Sequence, residues 1–442
     1  MTATAQDAGT SRDADVVIIG AGVIGSALAY ELSRRGRRTL NLDALPGAGY
    51  GSTSYSSAIV RFSYSTLAGV AMAWEARHYW RDWPAYLGGA GGPDLAELVT
   101  CGMALLDGGH AAKVVPLFDE LGIPYEHWDA GEIEKRLPLL DARVMGPPTG
   151  VDDDAFWVDP TEPLAGAVWM PDAGYVNDPQ LAARNLQHAA EALGARFRFR
   201  AEVVGIERDD ERVTGVTLAD GNVVRAPVVV NVAGPDSARV NRLAGLGGTM
   251  AIGTRPMRQE VHHVPSPVGP DGRVLDCMVG DDDTGIYFRP EAGGMIAVGS
   301  LEPSCDEQEW LDSTDDYQRS VTKAGWERQT LRLARRIPSL RIPNHPLGIV
   351  GVYDVADDWI PIYDRTDLDG FYVAIGTSGN QFKNAPFAAH AMAELIVAVE
   401  DGHDHEAEPI SVKGPYTGAQ FDLAFFSRNR TLNLDSSFSV HG

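Results

Sequence analysis

The apolar positions fall into short β-branched runs that alternate with glycine turns and helical stripes. Asp15 to Ile19 (DVVII) is a β-branched run and predicts a buried strand. Gly20-Ala-Gly-Val-Ile-Gly25 follows as a glycine turn. In SALAYELSRRG, Leu28 and Leu32 lie four apart on one helical face, and Gly36 is placed to stop the helix. RRTLNLD, 37–43, predicts a second strand ending in Asp43, which completes a strand–turn–helix–strand unit. Residues 67–87 predict one aromatic helix, with Trp74, Trp80 and Trp83 as packing residues. Asp178 and Pro179 read as the N-cap and first residue of another helix.

A β-rich piece comes next, in which ERDDER and ADGN are turns and VVVNVAG, 228–234, is a buried strand running into a glycine turn. More strands are expected over 255–303, and a charged helical segment over roughly 305–336. FYVAIGTSGNQFKNAPFAAHAMAELIVAVE predicts a strand, a glycine turn and a long apolar helix. The glycine-rich GGAGGP at 88–93 follows no strand, so no phosphate role is assigned to it. The acidic stretch 149–160 reads as a solvated insertion, with a surface flap as the alternative.

Composition narrows the function classes. A chain of 442 residues can bury two cores. Its net charge of −24, from 61 acids against 37 bases, argues against nucleic acid or an anionic membrane as partner. An anionic substrate would meet a repulsive global field and needs local cations to capture it. Cys101, Cys277 and Cys305 are odd in number and match no metal spacing, so free thiols in a reducing, cytoplasmic setting are expected. Residues 1–13 have no apolar core and read as a disordered tail rather than a signal peptide. The longest apolar runs are too short and too broken by glycine to span a bilayer. His262-His263 and His403/His405 lack a third ligand at metal spacing, so no metal is expected.

GAGVIG with Asp43 carries the first chemistry. Its first glycine permits a tight turn, the second a close backbone approach to a pyrophosphate, and the third close helix–strand packing. The helix N-terminus adds free N–H groups and a positive dipole end. Asp43, 18 residues past Gly25 at the end of the second strand, is placed to accept ribose hydroxyls. A dinucleotide site is the consequence, and periodicity does not say which dinucleotide.

Five blocks, in order from residue 15 to about 400, carry a resemblance. They are VVIIGAGVIGSALAYELSRRG…LD followed by GSTS, then GYVNDPQLA, VVVNVAGPDSARV, YFRPEAGGMIAVG and GTSGNQFKNAP. The chain resembles FAD-dependent amine and amino-acid oxidoreductases of the D-amino-acid oxidase superfamily, the group of sarcosine oxidase, glycine oxidase and dimethylglycine dehydrogenase. The resemblance implies a mixed α/β and α+β fold. A Rossmann-like FAD-binding domain would be assembled from 14–95, 172–245 and 346–442. A mostly antiparallel substrate domain would come from 96–171 and 246–345.

The resemblance also implies roles. Gly20, Gly22, Val23, Ile24 and Gly25 would hold the pyrophosphate, and Asp43 with Ala44 the adenosine ribose. Val203 would present its backbone to adenine. Gly51, Ser52, Thr53, Ser57, Ala58 and Ile59 would run along the ribityl chain and flavin ring. Ala233, Gly234, Gly376, Gly379, Asn380, Gln381, Phe382 and Lys383 would complete the cofactor site. Arg61 and Lys383 would clamp a substrate carboxylate, which suits a guanidinium fork and an ammonium in a dry cleft. Tyr353 and Tyr287 would position an uncharged amine.

The chain also departs from the family. Tyr55 stands where some relatives attach flavin through histidine, and Gly351 where others use cysteine, so FAD is expected to be non-covalent. Ala58 replaces an arginine of sarcosine oxidases, and Ala297 their oxygen-activating lysine. The implied reaction is oxidation of a C–N bond in a small amino acid or N-alkyl amino acid. Hydride passes to flavin, the imine hydrolyses, and O2 or another acceptor takes the electrons. An NAD(P)H-dependent flavin monooxygenase and a flavoprotein subunit of a larger complex are the alternatives.

Overall fold

The structure, a computed structural model, describes residues 13–106, 109–210, 212–269 and 271–441. Residues 1–12 of the expected tail lie outside the described residues. Asp13 is hydrogen-bonded to Arg225 through both backbone and carboxylate.

A six-stranded sheet runs in the order Ile362–Arg365, Phe371–Ile375, Val228–Asn231, Val16–Ile19, Thr39–Asp43, Arg196–Phe199. All its pairings are parallel except the first. The strands Val16–Ile19 and Val228–Asn231 are buried on both faces, which is why they read as unbroken β-branched runs rather than as alternating ones. Val16, Ile18, Val228 and Val230 pack with the helices Val23–Arg34, Pro179–Ala192 and Ala385–Glu400. Val17, Ile19 and Val229 point the other way, onto a three-stranded antiparallel sheet whose Val213, Val216 and Leu218 cover them. The Asp178 carboxylate accepts from Leu181 N–H at 2.8 Å, capping the helix that starts at Pro179 as the sequence predicts.

A second, nine-stranded and largely antiparallel sheet contains the hairpin Ile286–Glu291 and Met295–Ser300, the long strand Thr254–Pro265, and the strand Gly348–Ala356 paired with it. A small sheet joins Ile59–Val60 to Gly174–Val176, which also pairs with Leu98–Val99.

Two sequence expectations change. The aromatic helix over 67–87 is two helices, Leu67–Arg81 and Trp83–Tyr86. Pro84 has no N–H to continue the ladder, and it disfavours helical backbone at the residue before it. The charged segment over 305–336 is helical only from Lys323 to Arg336. Upstream, Ser, Thr and Asp side chains favour turns, and Thr322 caps the helix by accepting from Gly325 N–H at 3.0 Å.

Candidate active site

The glycine turn closes tightly. Gly20 has φ +119°, and a Cβ there would lie 2.5 Å from the Val232 carbonyl oxygen. A Cβ on Gly25 would lie 2.4 Å from the Gly20 carbonyl oxygen, so the strand and helix meet backbone to backbone. Gly22 brings no side-chain cap to the helix Val23–Arg34. Thr53 reaches across instead, its hydroxyl accepting from Val23 N–H at 3.0 Å. The two oxygens of Asp43 accept from Ala21 N–H (2.7 Å) and Leu45 N–H (2.8 Å), which ties the acid to the turn. Burial raises its pKa. Each oxygen retains acceptor capacity. Val203 opens a strand that is irregular between Val203 and Gly205, and the neighbouring Ala201 N–H donates to the Asp43 carbonyl.

The hydroxyl-rich stretch GSTSYSSAIVR, 51–61, is pinned along its length. Ser52 donates to the Val352 carbonyl at 2.6 Å. Ser57 Oγ lies 2.8 Å from Tyr287 Oη, and Arg289 Nε donates to the Ser57 carbonyl at 3.0 Å. Ala58 is buried with φ +48°. A residue at 58 therefore combines left-handed backbone with core packing, which favours a small side chain. Tyr55 and Gly351 meet in space: a Cβ on Gly351 would be 3.2 Å from Tyr55 Cβ.

The turn after Phe371–Ile375 is fixed by Asp354, whose carboxylate accepts from Gly376 N–H and whose carbonyl accepts from Ser378 N–H, each at 2.7 Å. Burial raises the Asp354 carboxyl to about 7. Gly376 and Gly379 both have φ +68°. A Cβ on Gly379 would lie 2.3 Å from the Tyr353 ring, so only glycine lets this tyrosine lie against the turn. Gln381 donates to Asn380 Oδ1 (2.6 Å) and accepts from Tyr363 (3.1 Å) and Asn384 (2.8 Å). Phe382 stacks on Trp80 with centroids 5.3 Å apart. Asn380 Nδ2 is a buried donor that no protein group satisfies.

Arg61 and Lys383 come together through a residue that the sequence reading missed. The Arg61 guanidinium sits 5.0 Å from the Tyr64 ring centroid, and Lys383 Nζ 4.7 Å from the same centroid. Tyr64 donates to the Asn380 carbonyl at 2.5 Å, and Lys383 donates to that carbonyl at 2.7 Å. Arg61 donates to the carbonyls of Ser63 and Val440. Both cations are buried, and their hydrogen-bond partners are neutral. Burial, then the neighbouring Arg61, pushes the Lys383 pKa well below the lysine range. Burial also lowers that of Arg61. The nearby Asp282 is bonded to His441 at 3.0 Å. Burial works to raise the Asp282 carboxyl, but His441, His110 and Arg61 together hold it below its ordinary range.

Tyr287 and Tyr353 lie near Arg61. Tyr287 lies over Gly299, where a Cβ would be 2.4 Å from the ring. Tyr287 forms an apolar cluster with Met257, Leu301, Val355, Trp359 and Val440, and Tyr353 packs against it. Burial raises both phenol pKa values, so both rings are neutral near pH 7. Ala297 is buried opposite Arg289 on the neighbouring strand. Tyr64, Asp282 and the stretch 436–441 belong to no motif. The one available signal was the aromatic Tyr64 three residues beyond Arg61.

The donor set fits FAD. Backbone closes on the turn at Gly20 and Gly25, the helix N-terminus faces it, an acid ends the second strand, and Asn380 offers an unsatisfied donor. Comparison with known proteins agrees. The FAD dependent oxidoreductase (DAO) family matches residues 15–395. The chain is 26% identical to the glycine oxidase of Geobacillus kaustophilus over 88% of its length and 94% of the relative's. It is 24% identical to the sarcosine oxidase beta subunit of an Arthrobacter species, over 92% of each. The crystal structure of the G. kaustophilus glycine oxidase superposes with a TM-score of 0.72 at 22% identity, covering 96% of this chain and 100% of that one. L-proline dehydrogenase from P. horikoshii gives the same TM-score at 20% identity, covering 95% and 98%. With the nucleotide cradle and this match across most of its length, the chain belongs to the FAD-dependent oxidoreductases of the DAO family, and FAD is its cofactor.

Proposed function

We propose that the protein oxidises the C–N bond of a small amino acid or N-alkyl amino acid. The observation that carries this reading is the pairing of Arg61 and Lys383 on the Tyr64 ring, beside the apolar cluster that holds Tyr287 and Tyr353. Two buried cations with neutral partners gain strongly from one carboxylate, because charge-assisted hydrogen bonds form without competing water. Glycine oxidase and sarcosine oxidase subunits among the similar proteins act on substrates of this class.

Gly20, Gly22, Gly25 and Asp43 would hold the dinucleotide, with 51–59 and 376–383 along the ring. When bound, FAD supplies the two-electron acceptor. Arg61 and Lys383 then fix the carboxylate. The neutral phenols of Tyr353 and Tyr287 orient the amine without adding charge. The apolar cluster around them excludes water, which strengthens each polar contact. Tyr55 and Gly351 stand in place of the histidine and the cysteine that would attach flavin, so FAD is held non-covalently. We assign 96–171 and 246–345 to the part that shapes the substrate pocket.

Anaerobic mixing of the holoenzyme with glycine, sarcosine, proline and their homologues tests this. At least one should bleach the flavin without a nicotinamide. Bleaching by NAD(P)H alone would indicate a monooxygenase and overturn the reading.

A further inference from the structure

The stretch 436–441 lies against Arg61 and the apolar cluster of Tyr287. The Val440 carbonyl accepts from Arg61. The Val440 side chain is 6% exposed and sits in the cluster of Met257, Tyr287 and Leu301, with Tyr353 packed against it. One residue thus places an oxygen on the arginine and an isopropyl group among the tyrosine-lined apolar side chains. An amino acid bound to the same site would place its carboxylate and its side chain in the same way.

The stretch is held by contacts to its flanks. Ser436 donates to the Asp358 carbonyl at 2.6 Å. Ser437 N–H donates to Ser65 Oγ at 3.1 Å, and Ser65 N–H donates to the His441 carbonyl at 3.3 Å. His441 Nε2 lies 3.0 Å from Asp282 Oδ1, and its ring packs on His110 with centroids 4.0 Å apart. Upstream, Arg430 is paired with the buried Asp358 at 2.7 Å, which anchors the base of the stretch away from Arg61. Residues 437–441 form no helix or strand, and Ser437, Phe438 and Ser439 are exposed or half-buried, so Val440 and His441 are the buried anchors of the stretch.

We infer that 436–441 is an internal ligand of the substrate cleft, with Val440 occupying the place of an aliphatic amino acid, and that a carboxylate substrate binds by displacing it. The inference rests on the carboxylate role proposed above for Arg61. A neutral carbonyl is a weaker acceptor from a guanidinium than a carboxylate, so a substrate carboxylate has the advantage in that exchange. The device keeps the buried Arg61 guanidinium hydrogen-bonded between turnovers, and it selects for ligands that combine an anion with a small aliphatic group.

Isobutyrate, which has the carboxylate and branched chain but no amine, is the probe, and isobutyramide is the neutral control. In hydrogen–deuterium exchange of the wild-type holoenzyme, isobutyrate should raise exchange across 436–441, and isobutyramide should not. Unchanged or slowed exchange, with isobutyrate binding visible in the flavin spectrum, overturns the inference. A chain ending at Asp435 should bind isobutyrate about 10- to 150-fold more tightly, the worth of one competing hydrogen bond to a charged group. Equal or weaker binding by that folded, FAD-loaded chain also overturns it. Arg61→Ala separates the two claims. Isobutyrate bound as tightly by Arg61→Ala as by wild type refutes the clamp itself. Binding lost in Arg61→Ala, with 436–441 unmoved in wild type, refutes only the displacement.

Discussion

Replacing Lys383 by methionine separates a binding cation from a structural one, because the two roles predict opposite signs. The methionine side chain is close in length and uncharged; it removes the ammonium and puts a thioether sulfur in place of Cδ. In the free enzyme, Lys383 makes one hydrogen bond, to the Asn380 carbonyl at 2.7 Å, and one ring contact, to Tyr64. Its protonated form is disfavoured by burial and by Arg61. The unfolded chain holds that proton up to about pH 10.5. Near neutral pH the wild-type lysine therefore lowers stability, and Lys383→Met should melt at the same temperature or higher.

Ligand affinity should move the other way. A hydrogen bond to a charged group contributes about 1.5–3 kcal/mol, so carboxylate affinity should fall roughly 10- to 150-fold. Wild-type affinity should also rise as pH falls through the depressed lysine pKa, since anion binding takes up a proton there, and the variant should lose that dependence. The assay is flavin-perturbation titration with a carboxylate across pH, alongside thermal melting. A lower melting temperature with unchanged affinity and an unchanged pH profile would refute the assignment.

Gly25→Ala should yield protein without bound FAD, read as the ratio of flavin to protein absorbance, because its Cβ would sit 2.4 Å from a backbone oxygen that cannot move aside; full FAD occupancy would contradict the cradle. Acid precipitation of the holoenzyme should release all yellow colour, and colour kept in the pellet would show a covalent bond. Burial works to raise the Glu31 carboxyl, but hydrogen bonds from His390 and Arg35 hold it at about 2 in the fold, below its ordinary 4.5. Its contribution is therefore complete above about pH 4.5 and is lost as pH falls through 2, so the stability difference between wild type and Glu31→Gln should shrink over that window. A difference independent of pH would refute it.

The parts of the molecule legible in the sequence are those where local backbone chemistry dictates the answer. Gly20 and Gly25 are fixed by carbonyls that approach within a Cβ radius, and a glycine pattern between a strand and a helix reports that directly. The Asp178–Pro179 cap is equally local. The helix break at Pro84 was readable but hidden under a strong aromatic pattern. Tyr64, Asp282 and Val440 were not readable, because their places come from pairings between segments hundreds of residues apart. Tyr64 is tied to Asn380 and Val440 to Arg61, and no periodicity encodes either contact. Ala58 became intelligible only with its backbone angle in view.

The central claim is that a carboxylate held by Arg61 and Lys383 presents an amine for oxidation. The most direct measurement compares anaerobic flavin reduction by each small amino acid with reduction by its carboxamide. The account predicts rapid bleaching by at least one acid, and bleaching by the matching amide slower by about 100-fold or more, the loss of two charge-assisted hydrogen bonds. Equal rates for acid and amide would contradict it.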